Sequence, residues 1–316
     1  MTYQHIVFLF PGQGAQYQGM GIDLLAASPA VRALFELASD ISGRDMRTLL
    51  AEADEATLKR TDVSQPAITL MNLAAAAVLA ERGVTPAATA GFSLGEYAAL
   101  ATAGVISAED CFRLVKTRGE TMQAVSDTLM FGQNPPGMAA VIGLAPERVE
   151  ALIAEWQIKD LFTANINSPK QVVVSGTADA LALAESRFKE AGVRRVLRLA
   201  VAGPFHSPLM ARAAEQFQPS LEVVVFNDPS LPLYSNVSGT RVSSGAEAKA
   251  LALQQISQPV RWTDEEAAIG AASVDAAVEV GPGKVLQGLW RDAGVNVPCF
   301  GAGTLADIDK FQSEHF

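Results

Sequence analysis

The sequence predicts an α/β protein, a large domain on a central parallel sheet interrupted by a small domain of order β-α-β-β-α-β. Three observations carry this. The apolar run Ile6–Phe10 ends at Pro11-Gly12 and reads as a strand buried on both faces. The pentapeptide Gly91-Phe92-Ser93-Leu94-Gly95 stands between a small-residue run at 87–90 and a helical pattern from Glu96, the strand–turn–helix setting of a nucleophile elbow. Downstream, residues 137–202 alternate strand and helix patterns in the order of a split βαβ module.

Taken in order, the first strand leads into the loop Pro11-Gly12-Gln13-Gly14-Ala15-Gln16. Helical pattern follows to Leu24 and again from Pro29 to about Ile41. Residues 65–81 read as a buried helix closed by Gly83. After the elbow, Ser107-Ala108-Glu109-Asp110 offers an N-cap with acids in the first turn, and that helix runs through Arg118 to about Val125. The break at 128–137, with Gly132 and Pro135-Pro136, sets the domain boundary. Residues 1–136 and 203–316 then form the large domain and 137–202 the insert. Inside the insert, strands at 138–144, 162–166, 171–175 and 195–201 and helices at 146–156 and 178–191 make the order ferredoxin-like. Beyond it come a helix at 207–216, a strand at 233–237 before Ser238-Gly239, and a helix at 246–256. A strand at 275–280 runs into Gly281-Pro282-Gly283 and a helix from Lys284. That run lacks phosphate-loop spacing and reads as a structural turn.

The chain has 316 residues, 49% of them hydrophobic, enough for one large or two modest domains. Its 24 basic and 34 acidic residues leave a net charge of −10, which argues against a nucleic-acid partner. Cys111 and Cys299 are far apart and without metal-ligand spacing, so neither a disulfide framework nor a metal site is expected. No apolar run is expected to reach membrane-spanning length, and the N-terminus carries no basic n-region. A soluble cytoplasmic protein is the expectation.

The two elbow glycines have a physical reason. A tight, strained turn leaves no room for a Cβ on the elements beside it. It also presents the Ser93 hydroxyl at the positive end of a helix, where a developing oxyanion is favoured. The pentapeptide alone equally describes a Ser that caps a helix after a Gly turn. A serine nucleophile needs a base, and only three histidines are present. His5 opens the first strand, and His315 stands beside the C-terminus, where disorder is expected. His206, in Gly203-Pro204-Phe205-His206-Ser207-Pro208, lies at a strand-to-helix junction and is the base by elimination, unless another residue type serves.

Seven stretches together resemble one family. They are Phe10-Pro11-Gly12-Gln13-Gly14-Ala15-Gln16, Gly91-Phe92-Ser93-Leu94-Gly95-Glu96-Tyr97, Arg118-Gly119 and Asn165-Ile166-Asn167-Ser168-Pro169, then Pro204-Phe205-His206-Ser207, Gln258-Pro259-Val260-Arg261-Trp262 and Glu279-Val280-Gly281-Pro282-Gly283-Lys284. In this order, across nearly the whole chain, they resemble the acyl-carrier-protein S-malonyltransferases of fatty acid synthesis, relatives of the acyltransferase domains of polyketide synthases. The resemblance implies an α/β-hydrolase-like large domain with the site in a cleft against the insert. It implies ping-pong transfer: Ser93 takes malonyl from malonyl-CoA, and the phosphopantetheine thiol of acyl carrier protein removes it, with no bound cofactor. His206 would be the base, held by a carbonyl near Gln255, with Gln13 and Leu94 N–H groups as the oxyanion hole. Arg118 would bind the malonyl carboxylate by a planar fork. Asn165 and Phe205 would border the substrate. Many relatives carry His where this chain has Phe92, which bears on acyl selectivity. Asp160 and Asp179 stay open as a hydrolase-type third member. Arg194 and Arg195 with Arg198, and Lys284 with Arg291, are candidate docking charges for an acidic carrier, or simply a solvated face. Rival readings are a polyketide acyltransferase, a subunit of a malonate-processing complex, a serine esterase or thioesterase, and a non-catalytic carrier-binding scaffold.

Overall fold

The computed structural model describes residues 2–129 and 135–315. Gly132, within the expected boundary, lies outside the described residues. Strand β1 (Ile6–Phe10) is buried at every position because Ile6, Phe8 and Phe10 enter one core and Val7 and Leu9 another on the opposite face, and it has a neighbouring strand on each side. Those neighbours are β2 (Ala88–Gly91) and, later in the chain, β7 (Ala276–Glu279), which in turn pairs with β8 (Cys299–Gly301). The intervening strands β3 (Gly137–Ile142), β4 (Leu161–Ser168), β5 (Gln171–Gly176) and β6 (Arg195–Arg198) form a second sheet.

The first sheet has order β2-β1-β7-β8 and is parallel throughout. Phe10 pairs with Gly91 and Leu9 with Glu279, so β1, β2 and β7 all end on one edge. At such carboxyl edges of a parallel sheet, ligand crevices open. The second sheet has order β4-β5-β3-β6 and is antiparallel, the arrangement expected of the ferredoxin-like insert.

Alternation along β3 divides its two faces. Ala139 and Val141 pack with Val149, Leu181 and Phe188 beneath the helices Pro146–Trp156 and Ala178–Glu190. Met138 and Ala140, with Ala164 and Val173, instead join the core of the large domain. Backbone bonds between Ile166 N–H and Val260 O, and between Val260 N–H and Ala164 O, both 2.8 Å, stitch β4 to the C-terminal part of the chain.

Ser107 caps the helix Ala108–Thr128 by accepting from Asp110 N–H at 3.0 Å, as its sequence indicates. Other expectations need correction. Residues 233–237 do not form a strand: Leu233 and Tyr234 make isolated bridges to Thr89 and Arg241. The Asn236 N–H that would continue a ladder is committed to the Glu96 carboxylate at 3.0 Å. The helix expected from Ser207 starts with a 3₁₀ turn, Pro208–Met210, and continues as Ala211–Glu222. One apolar run does reach spanning length, in the helix Thr61–Glu81, but 83% of its apolar window is buried within the protein. Its interspersed Ser, Thr, Gln and Asn residues hid that length. His315 is not disordered; its ring packs on Tyr3, Phe300 and Phe311.

Candidate active site

Ser93 sits between β2 and the helix Gly95–Thr102 with φ of +51°, a left-handed conformation rarely held by a non-glycine residue. Its flanking glycines make the turn possible. A Cβ on Gly91 would lie 2.1 Å from Gly95 C, and one on Gly95 would lie 2.0 Å from Phe10 O. Gly12 is equally confined, since a Cβ there would stand 2.3 Å from Phe92 O. That contact brings the Gln13 loop against the elbow. Among the described residues, the N–H groups of Gln13 and Leu94 have no protein acceptor.

Asn236 clamps the strained turn from both sides. Its Oδ1 accepts from Ser93 N–H at 2.6 Å, and its Nδ2 donates to Gly91 O at 2.7 Å. The amide therefore fixes the backbone before and at the nucleophile.

His206, itself at φ of +56°, places Nε2 2.7 Å from Ser93 Oγ. Its Nδ1 is 2.8 Å from the backbone oxygen of Gln255. A carbonyl can only accept, so Nδ1 carries the proton and Nε2 is free to accept from the serine hydroxyl. Burial, and then the nearby Arg118 charge, push the imidazole down to about 4, so it is neutral around pH 7. Neither Asp160 nor Asp179 bonds to it; both belong to the second-sheet region, in the loop before β4 and in the helix Ala178–Glu190.

Arg118 comes from the helix Ala108–Thr128 and is 1% exposed. Nη2 donates to Gln255 Oε1 at 3.0 Å and stands 3.5 Å from Ser93 Oγ, while the guanidinium lies 5.5 Å from the centre of the Tyr97 ring. Burial lowers its pKa, yet a guanidinium stays charged in proteins. Its Nε is buried and has no partner. Gln255 is the hub: beyond Arg118, its Nε2 donates to Ser93 O at 3.0 Å and to Glu96 Oε2 at 2.7 Å. A buried cation with an unused donor, beside a serine whose proton has an acceptor, is built to receive an anionic acyl group.

The acyl transferase domain family matches the chain over residues 7–304. The chain belongs to that family. A malonyl CoA-acyl carrier protein transacylase of Bacillus subtilis is 38% identical over 90% of this chain and 89% of its own length. Among solved structures, a malonyl-CoA:acyl carrier protein transacylase of Xanthomonas oryzae superposes with a TM-score of 0.92 at 35% identity, covering 100% of this chain and 99% of that one. A malonyl-transacylase in complex with its type II polyketide acyl-carrier protein gives a TM-score of 0.92 at 34% identity, covering 99% of this chain and 100% of the other.

In this acyltransferase a cleft of about 670 Å³ runs between the two sheets. Gly12, Gln13 and Phe92 line it on one side, Asn167 and Val173 on the other, with Leu289 from the helix Val285–Ala293. Ser93, His206 and Arg118 do not line it; the cleft meets the elbow at Phe92. Gln13 Nε2 and Asn167 Oδ1, one donor and one acceptor, are buried polar atoms without partners on two residues that line this cleft. Asn165 is buried and bridges Val260 through its backbone; two residues on, Asn167 reaches the cleft. Phe205 packs in the main core, and Phe92 stacks edge-on against Trp262 at 5.4 Å. Arg194, Arg195, Lys284 and Arg291 are all exposed, and Arg198 pairs with Glu185. The Gly281-Pro282-Gly283 turn holds no phosphate-type cradle: Glu279 caps the following helix, accepting from Leu286 and Gln287 N–H groups at 3.0 and 3.1 Å.

Reasoning from sequence missed Asn236 and Glu265 and left Glu96 without a role. Glu96 had a signal, being a lone charge in the otherwise apolar stretch Tyr97-Ala98-Ala99-Leu100. Glu265 is wholly buried and accepts from Asn236 Nδ2 at 2.7 Å. Among the described residues no group of three His, Cys, Asp or Glu is placed to hold a metal ion.

Proposed function

We propose that this acyltransferase moves a malonyl group from malonyl-CoA to the phosphopantetheine thiol of an acyl carrier protein, through a malonyl ester on Ser93. The observation that carries the reading is Arg118: a buried cation with an unpartnered Nε, 3.5 Å from the Ser93 hydroxyl. A carboxylate at the far end of the acyl group supplies the partner that this guanidinium lacks.

The chemistry follows from the hydrogen bonds. Ser93 Oγ attacks the thioester carbonyl while its proton passes to His206 Nε2. The tetrahedral oxyanion takes the N–H groups of Gln13 and Leu94. As the intermediate collapses, the carbon–sulfur bond breaks and the leaving thiolate takes the proton from Nε2. In the second half, Nε2 accepts the proton of the carrier thiol, the thiolate attacks the ester, and Ser93 Oγ leaves with that proton. Every step uses side chains and backbone of this chain, with malonyl-CoA as substrate. The carbonyl-held His206 favours transfer over an esterase, whose base is held by an acid.

Residues 1–136 and 203–316 form the catalytic unit in this reading, and 137–202 the insert whose sheet walls the cleft. Gln13 and Asn167 offer a donor and an acceptor to the amides of the pantetheine arm. Arg194, Arg195, Lys284 and Arg291 are exposed charges available to an acidic carrier. Fatty-acid and polyketide carriers present the same thiol, so offering both kinds assigns the pathway. Incubation with malonyl-CoA followed by intact-mass analysis tests the reading. One malonyl group on the wild type and none on Ser93→Ala is expected; an unmodified wild type overturns it.

A further inference from the structure

We infer that Glu96 sets the charge balance of the acyl pocket and is a specificity-determining residue for acyl groups that carry a carboxylate. The inference rests on the functional reading above. Glu96 is 3% exposed, three residues beyond Ser93. Its Oε2 accepts from Gln255 Nε2 at 2.7 Å and from Asn236 N–H at 3.0 Å. Gln255 Oε1 in turn accepts from Arg118 at 3.0 Å, so carboxylate, amide and guanidinium form one buried chain. A second carboxyl, Glu265, holds the same Asn236 through Nδ2 at 2.7 Å.

Two carboxyl groups thus share one asparagine, with one cation nearby. Like charges this close do not both ionise in a buried site. The groups facing Glu96 are Arg118 from the helix Ala108–Thr128 and Glu265 from the helix Trp262–Gly270, with Gln255, Asn236 and Ser235 from the segments between. Burial, and then the Glu96 charge, hold Glu265 well above the usual carboxylate range. Burial raises Glu96 only to about 6, because Asn236 and Gln255 donate to it and Arg118 attracts its charge. Near neutral pH the resting pocket therefore holds Arg118 as a cation and Glu96 as an anion, with Glu265 the carboxyl that keeps its proton more readily.

An acetyl group adds nothing to this sum. A malonyl group adds a second negative charge beside one buried cation, and proton uptake by Glu96 restores the balance. By reciprocity, malonyl raises the proton affinity of Glu96, and a protonated Glu96 raises the preference for malonyl by the same factor. The preference is therefore highest below about pH 6 and falls as Glu96 ionises above it.

The test is kcat/KM for Ser93 acylation by malonyl-CoA and acetyl-CoA, with wild type and Glu96→Gln, between about pH 5 and about pH 8; the malonyl carboxylate itself ionises at roughly 3–4, below this window. Titration of His206 affects both thioesters and cancels in the ratio. Glutamine keeps an oxygen for Gln255 and Asn236 but never ionises. In the wild type the malonyl-to-acetyl ratio should fall roughly tenfold across the window, the effect of about one unit in the affinity of Glu96 for its proton. In Glu96→Gln it should stay level, at the wild-type low-pH value. A second measurement needs no variant: in weak buffer near neutrality with a pH indicator, malonylation of wild type should take up protons that acetylation does not. A level wild-type ratio, equal proton uptake, or an unchanged slope in Glu96→Gln overturns the inference. A wild type that accepts no malonyl overturns the functional reading along with it, whereas one that accepts malonyl with a level ratio overturns the inference alone.

Discussion

His206 Nδ1 stands 2.8 Å from the backbone oxygen of Gln255, so a neutral carbonyl, and not a carboxylate, orients the base. The carbonyl fixes the tautomer that leaves Nε2 facing Ser93 at 2.7 Å. It offers an imidazolium no countercharge, while burial and Arg118 oppose one. Orientation and basicity are thus set by different groups.

Replacing His206 by Ala should lower malonyl transfer by about 10²–10⁴, the range for a lost general acid–base. Asp160→Asn and Asp179→Asn should each stay within about twofold of wild type, since surface changes away from the site seldom matter. Transfer rates of the three variants decide; an Asp variant as impaired as His206→Ala would restore a hydrolase-type triad.

The acid limb should lie unusually low. With His206 held at about 4, the base stays unprotonated and acetyl transfer stays nearly level from pH 7 down to about pH 5. An ordinary imidazole, at roughly 6.5, would retain only a few per cent of its base form at the acid end of that range. A pH profile of kcat/KM with acetyl-CoA distinguishes the two.

Arg118→Ala should collapse malonyl transfer and raise the acetyl-to-malonyl ratio. Stranding one member of a buried charge pair costs about 2–5 kcal/mol, or roughly 30- to several-thousand-fold in kcat/KM. Arg118→Lys should rescue in part, because an ammonium forms no planar fork. Equal losses for malonyl and acetyl would assign Arg118 to the fold or to the coenzyme A moiety.

Asn236→Ala strips the acceptor from Ser93 N–H and the donors from Gly91 O and Glu265. Loss of such buried partners should destabilise the protein by roughly 2–4 kcal/mol. Acylation by malonyl and acetyl should fall together, by about 10- to 100-fold, as expected when a nucleophile is displaced. Thermal unfolding and the two acylation rates measure this; a change in their ratio would contradict a purely positional role.

Glu266 accepts from Trp262 Nε1 at 2.8 Å, and burial raises it to about 8, so it is neutral at pH 7 when folded. Its pKa is raised above the unfolded value, so its contribution is complete at low pH and is lost as pH climbs from the unfolded pKa through about 8. Glu266→Gln should therefore gain stability over wild type as pH rises, by up to about 5 kcal/mol at the top of that window. Melting temperatures of both proteins across the range supply the check.

Much of this was legible in local pattern. The elbow shows in its glycines because backbone crowding leaves no other residue type, and the insert shows in the order of its strand and helix patterns. The 233–237 segment misled because a strand-like pattern does not reveal that a distant carboxylate, Glu96, will take the Asn236 N–H. Asn236 and Glu265 stayed hidden for a related reason. Their roles depend on partners more than twenty positions away, and nothing local marks an amide as a clamp. Asn165 and Asn167 lie in one motif, and only the pairing of β4, with its bulges, decides which reaches the cleft.

Because Met138, Ala140, Ala164 and Val173 are rooted in the large domain's core, the second sheet cannot swing away without tearing apolar contacts and the two bonds to Val260. The entrance to Ser93 is a fixed doorway and not a jaw. Two bulky thioester carriers must then use the same rigid gap in turn, and each has to leave before the other arrives. In the proposed transfer the acylation state of Ser93, and no shape change, decides which of the two reacts, while abundance sets only how long the other occupies the threshold.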